Sequence, residues 1–131
     1  MKKKVLSAAL TATMFMGMFG NTVLAEAVSD AEAEKGTIYV ITSSYATPLF
    51  EVEAKKVEED AEALGYSVKA VSHDDDLTKQ SQIIETAIAD KAVGIVLDNA
   101  GAEGSVEAVK NAKEAGIPTV IIDRELASEG D

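Results

Sequence analysis

The sequence has no cysteine and no tryptophan, and it holds two prolines, one histidine and a single arginine, Arg124. Without cysteine there is no disulfide framework, thiol nucleophile or thiolate metal site. A lipid-modified amino-terminal cysteine is likewise not expected as an anchor. One histidine cannot build a multi-histidine metal centre, so neither a metal nor another cofactor is expected. Aromatics make up 5% of the residues, too few for a base-stacking surface. Basic side chains are also scarce, 12 against 23 acidic ones, for a formal charge of −11. If Lys2, Lys3 and Lys4 leave with a leader, the 12 bases fall to 9 and the charge becomes −14. A surface of this sign repels phosphate backbones and anionic lipids, so no nucleic-acid partner is expected. The acids are scattered along predicted helices, the pattern of a solvated surface rather than of a cation-binding face.

What is present is a globular composition, 47% hydrophobic and 27% charged, in 131 residues. That length suits one compact core and is too short for two well-buried lobes.

The first 25 residues read as an address. A basic cluster at Lys2 to Lys4 precedes an apolar run from Val5 to Phe19, and small residues lead to Val23-Leu24-Ala25. This is the order of a secretory signal peptide, expected to be cleaved after Ala25. The competing reading, an uncleaved anchor, meets a run broken by Ser7, Thr11 and Thr13 and short of the about 20 apolar residues of a span. Residues 26–36 read as a flexible lead-in, and the folded part is expected over 37–131. The location that follows is periplasmic or extracellular.

From Thr37 onward a β-branched apolar run, a polar turn and an amphipathic helix alternate. The runs, Thr37 to Thr42, Ser67 to Ser72, Val93 to Leu97 and Thr119 to Ile122, begin 30, 26 and 26 residues apart, the beat of βαβ units. A first helix over 48–64 carries Phe50, Ala54, Val57, Ala61 and Leu64 on one stripe and stops at Gly65. A second over 77–90 can be capped by Asp76 and is expected to bury Leu77, Ile84, Ala87 and Ile88. A third over 105–115 ends at Gly116 with Pro118 beyond. Strands joined through helices run parallel, and near-continuous apolar strands suit a sheet covered on both faces. The expected fold class is therefore α/β with a doubly wound parallel sheet.

In such a sheet ligands bind outside the carboxyl ends of the strands. Those ends carry Ser43-Ser44-Tyr45-Ala46-Thr47-Pro48, His73-Asp74-Asp75-Asp76, Asp98-Asn99 and Asp123-Arg124. Asp123 is expected to orient the Arg124 guanidinium. Carboxylates and amides accept from hydroxyls, a guanidinium donates to them, and an aromatic ring covers the apolar face of a sugar, so these groups suit a polyhydroxyl ligand. Phe50 and Tyr45 are the available rings, although Phe50 falls equally on the core stripe of the first helix. The His73 to Asp76 stretch could hold a hard cation or simply serve loop and cap duties. Other chemistries lack their motifs. No glycine lies between Thr42 and Pro48 for a dinucleotide turn, and there is no G-x-S-x-G elbow.

Residues 37–131 resemble the start of a type 1 periplasmic binding protein of the ribose-binding group. The resemblance lies in Ala115-Gly116-Ile117-Pro118-Thr119-Val120-Ile121-Ile122-Asp123-Arg124, in Leu64-Gly65-Tyr66 and in Leu97-Asp98-Asn99-Ala100. It implies that Asp123 and Arg124 contact sugar hydroxyls, that Phe50 is a stacking ring, and that Asp98 or Asn99 is a hydroxyl partner. Where that group often has Asn-Pro-Phe-Phe, this chain has Thr47-Pro48-Leu49-Phe50, so Thr47 stands in an amide's place and one ring is lost. The His73 to Asp76 and Asp98 to Gly101 stretches look more like members taking pentoses or sugar alcohols. The group has two lobes, so the chain is expected to be a truncated amino-terminal lobe. The implied function is non-enzymatic: a monomer binding a monosaccharide or polyol for a membrane ABC permease. Two alternatives stand beside it. A sugar-sensing receptor presenting its ligand to a signalling partner would share every residue named. A phosphoryl-accepting receiver domain shares the sheet, but its acid pair should follow the first strand, where this chain has Ser43 and Ser44.

Overall fold

Three helices and four strands alternate without exception along the part of the chain described by the computed structural model, residues 35–127. The expected leader, 1–25, and all but the last two residues of the expected lead-in lie outside the described residues. The elements are β1 (Thr37–Thr42), α1 (Pro48–Ala63), β2 (Ser67–Ser72), α2 (Leu77–Ala89), β3 (Gly94–Asp98), α3 (Val106–Glu114) and β4 (Thr119–Ile122). Among the described residues, no helix is long and apolar enough to cross a membrane.

Each helix starts and stops for a local reason. Pro48 opens α1 with its φ already set for a helix. Asp76 caps α2, its Oδ1 accepting from the backbone N–H of Thr78 at 2.7 Å and of Lys79 at 3.0 Å. All three helices end in the same paired hydrogen bonds. After α1, Gly65 N donates to Glu62 O and Tyr66 N to Ala61 O. After α3, Gly116 N donates to Lys113 O and Ile117 N to Ala112 O. The motif needs a left-handed residue at its turn, which Gly65 (φ 86) and Gly116 (φ 80) supply. After α2 the same turn is made by Lys91 at φ 57, with no glycine to announce it in the sequence.

The sheet is wholly parallel, in the order β2-β1-β3-β4. Tyr39 and Ile41 of β1 and Ile95 and Leu97 of β3 pack with Ile84, Ala87, Ala108 and Ala112 of α2 and α3 to form the main core. Val40, on the alternate face of β1, is fully buried on the side of α1 with Ala54 and Ala61. Small alanines on both layers let the helices lie close to the strands.

Several expectations need correction. Leu64 is exposed because it is the C-cap of α1, where the chain leaves the helix. Leu77, the first residue of α2, is also exposed in part. Its methyl groups lie over Gly104, in space that a Cβ there would occupy, rather than in the core. Val93 precedes β3 rather than opening it, and is exposed. Nor is β4 covered on both faces, since Val120 is 58% exposed and no residue of β4 is fully buried. The reason is position: β4 is an edge strand, and α1 packs on β1 and β2 at the far side of the sheet. An open groove of about 570 Å³ lies between α3 and β4, lined by Val109, Ile117, Ile121 and Leu126 among others, and none of the expected site residues borders it.

Candidate functional site

The chain leaves β1 to build β2 on one side and then returns to build β3 on the other. That reversal opens a crevice at the carboxyl ends of β1 and β3, the place where open α/β sheets take ligands. Thr42 to Thr47 and Asp98 to Asn99 are delivered there by the strands themselves, and Asp123-Arg124 follows from β4 alongside.

The floor is held by buried polar contacts. His73 is fully buried, and its Nδ1 accepts from the backbone N–H of Asp75 at 3.1 Å. The ring proton therefore sits on Nε2, which donates to the Asp98 carbonyl at 2.8 Å. Ser72 Oγ donates to Ser43 O at 2.6 Å. Ser43 Oγ bonds Asp75, Asp74 pairs with Lys79, and Asp76 caps α2. The whole His73 to Asp76 stretch is thus occupied by loop and cap duties, as one of the two sequence readings had it. Among the described residues, no group of three or more histidines and carboxylates is arranged to hold a metal ion.

The wall beyond β3 hangs on Gln80 of α2, which is fully buried. Its Oε1 accepts from Ala100 N at 2.6 Å and its Nε2 donates to Ser105 Oγ at 2.9 Å. Sequence reasoning missed both residues. The available signal was that Gln80 lies on the buried stripe of α2, four residues before Ile84 and seven before Ala87.

Asp98 and Asn99 are each 2% exposed. The Ser43 backbone N–H bonds the Asp98 carboxylate, but Asp98 Oδ2 is buried without a partner. Asn99 Nδ2 donates to the Arg124 carbonyl, while Asn99 Oδ1 is also buried and unpartnered. Burial pushes the Asp98 carboxyl above the usual carboxylate range, and the negative charge of Asp123 adds to the rise.

Arg124 and Asp123 are exposed at the rim. Asp123 has φ 63, and Arg124 N donates to Ile122 O at 2.8 Å, closing a three-residue turn of the rare, strained kind. The expectation that Asp123 orients the guanidinium is not met, since among the described residues no ion pair joins the two. The chain reverses at Asp123, and Arg124 Nη1 instead approaches the Asn99 carbonyl at 3.5 Å.

The first turn of α1 supplies the remaining groups. Thr47 is exposed and its side chain makes no capping bond to the helix, and Phe50 is half-buried. One turn on, and on the same face as Phe50, is Glu53, which sequence reasoning passed over. Its Oε2 is buried without a partner, and burial first, then the charges of Asp98 and Asp123, raise its carboxyl above the ordinary value. Glu53 therefore faces the same crevice as the two aspartates.

A family model for the periplasmic binding protein domain matches residues 38–131. A D-apiose import binding protein of Actinobacillus succinogenes is 47% identical over 98 residues, 75% of this chain and 32% of that protein. A second one, of Paraburkholderia graminis, is 43% identical over 129 residues, 98% of this chain and 38% of that protein. The chain thus spans roughly a third of the length of these relatives. Among solved structures, an ABC transporter solute binding protein of Burkholderia multivorans superposes with a TM-score of 0.66 at 29% identity, covering 74% of this chain and 36% of that one.

Proposed function

The chain belongs to the periplasmic binding protein family, and we propose from that premise that it is the amino-terminal part of a two-lobed receptor capturing a neutral monosaccharide for an ABC importer. The receptor acts by binding alone, as a monomer, outside the cytoplasm, after export and cleavage of a leader behind Ala25. D-apiose is the sugar we assign to it, because the two curated relatives named above are D-apiose import binding proteins, 47% and 43% identical to this chain over the aligned residues.

One observation carries the reading. Asp98 Oδ2 and Asn99 Oδ1 are buried at the β1/β3 reversal and lack partners, although a buried acceptor left unpaired is costly. Sugar hydroxyls are the donors such atoms fit. Arg124 then donates to ring or hydroxyl oxygens, Thr47 adds a hydroxyl, and Phe50 meets the apolar face of the sugar. Asp123 sits at the strained turn that presents Arg124. A second lobe closing over this edge excludes water and gives the permease a closed form to recognise.

Isothermal titration of the two-lobed receptor with D-apiose, ribose, glucose and myo-inositol tests the reading. Micromolar or tighter binding of D-apiose supports it. Absence of binding to every sugar in the set overturns it.

A further inference from the structure

Glu53 is the crevice residue that neither the sequence motifs nor the fold's usual strand-end positions point to. We infer that it contacts the ligand and sets its charge class: Glu53 accepts a hydrogen bond from a hydroxyl of a neutral sugar and, with Asp98 and Asp123, turns away sugars that carry a carboxylate. The inference rests on the sugar-receptor reading above and narrows it.

Three observations support it. Glu53 Oε2 is shielded from solvent and has no donor within the described residues, so an acceptor is held ready at the crevice with nothing to accept from. Asp98, 2% exposed, and fully buried Thr42 have unpartnered oxygens at the same edge, which makes this more than a patch of surface acids. The charges of Asp98 and Asp123 both reach Glu53, and Asp123 reaches Asp98 as well, so the three carboxylates share one space. The positive charge acting on Asp98 includes that of Arg124, one guanidinium against three carboxylates. A site with that balance suits hydroxyl donors and repels an anion, which is selection by an unfavourable contact with the wrong ligand.

The closing experiment measures the two-lobed receptor against D-apiose and D-apionate, the same carbon skeleton with a carboxylate in place of the aldehyde. The wild-type protein is expected to bind D-apiose far more tightly than D-apionate, whose weak affinity is read from its displacement of bound D-apiose. Glu53→Gln is expected to weaken D-apiose about tenfold, the usual scale for one bond to a charged acceptor, and to narrow the preference for the neutral sugar at least tenfold. Glu53→Asp keeps the charge and shortens the reach, so it should lose affinity while holding the preference. A purely structural Glu53 would change both affinities together. An unchanged ratio in Glu53→Gln with D-apiose still bound overturns this inference alone. Failure of the wild-type protein to bind any neutral monosaccharide overturns the receptor reading and this inference with it.

Discussion

His73 Nε2 donates to the Asp98 carbonyl across 2.8 Å, joining the ends of β2 and β3 although β1 runs between them. The ring is a strut beneath the crevice, since it also holds the turn at Asp75 through Nδ1. His73→Ala would leave the Asp75 N–H and the Asp98 carbonyl without this partner and open a void in the floor. A loss of about 2–3 kcal/mol is expected. Thermal unfolding should show a fall of roughly 10 °C or more, and an unchanged midpoint would remove the strut.

Asp98 sets stability against binding. Its carboxyl is pushed up by burial and by Asp123, so the ionised form destabilises the fold wherever pH lies above the raised folded value. That penalty fades as pH falls through the folded value toward the unfolded one. Asp98→Asn is therefore expected to be more stable than the parent at pH 7, a gain that shrinks as pH is lowered toward the ordinary carboxylate range. The same variant should bind sugar more weakly, because a charged acceptor becomes a neutral one. Melting curves at pH 7 and pH 4 check the sign.

Gln80 is expected to act on both stability and the site. Gln80→Leu would fill much of the volume but strand the Ala100 N–H and Ser105 Oγ, at a cost of about 2 kcal/mol. The Asn99 side of the crevice would loosen with them. Hydrogen exchange at Ala100 should rise well above the level of its neighbours in β3.

Lys91 offers a test in the opposite direction. A lysine at φ 57 carries a left-handed penalty that glycine does not, roughly 1 kcal/mol. Lys91→Gly should raise the melting point by several degrees without touching ligand affinity.

The elements legible in the sequence are those written by local rules. The bounds of β1, β2 and β4 and the Asp76 cap follow from β-branched runs, stop signals and a side chain that reaches its own helix. The exposure of Val120 was not legible, because it depends on β4 standing at the sheet edge, and strand order is a long-range property. Glu53 sits among Glu51, Glu58, Glu59 and Glu62 and reads as one more surface acid until α1 is laid over β1. Its place three residues after Phe50 and four before Val57, inside the apolar stripe, was the clue. Asp123-Arg124 was visible as a pair, whereas its geometry was not, because a positive φ at Asp123 turns the chain between the two.

The central claim is that the crevice at the ends of β1, β3 and β4 holds a neutral sugar with Arg124 as its principal donor. Calorimetric titration of D-apiose into the two-lobed receptor and its Arg124→Ala variant, with the melting point of each recorded alongside, tests it most directly. Bonds to a charged group are worth roughly 1.5–3 kcal/mol, so the account predicts a loss of about one to two orders of magnitude in affinity in Arg124→Ala. The exposed side chain should leave the melting point nearly unchanged. Equal affinity in a folded Arg124→Ala protein, or a lowered melting point with affinity intact, would contradict it.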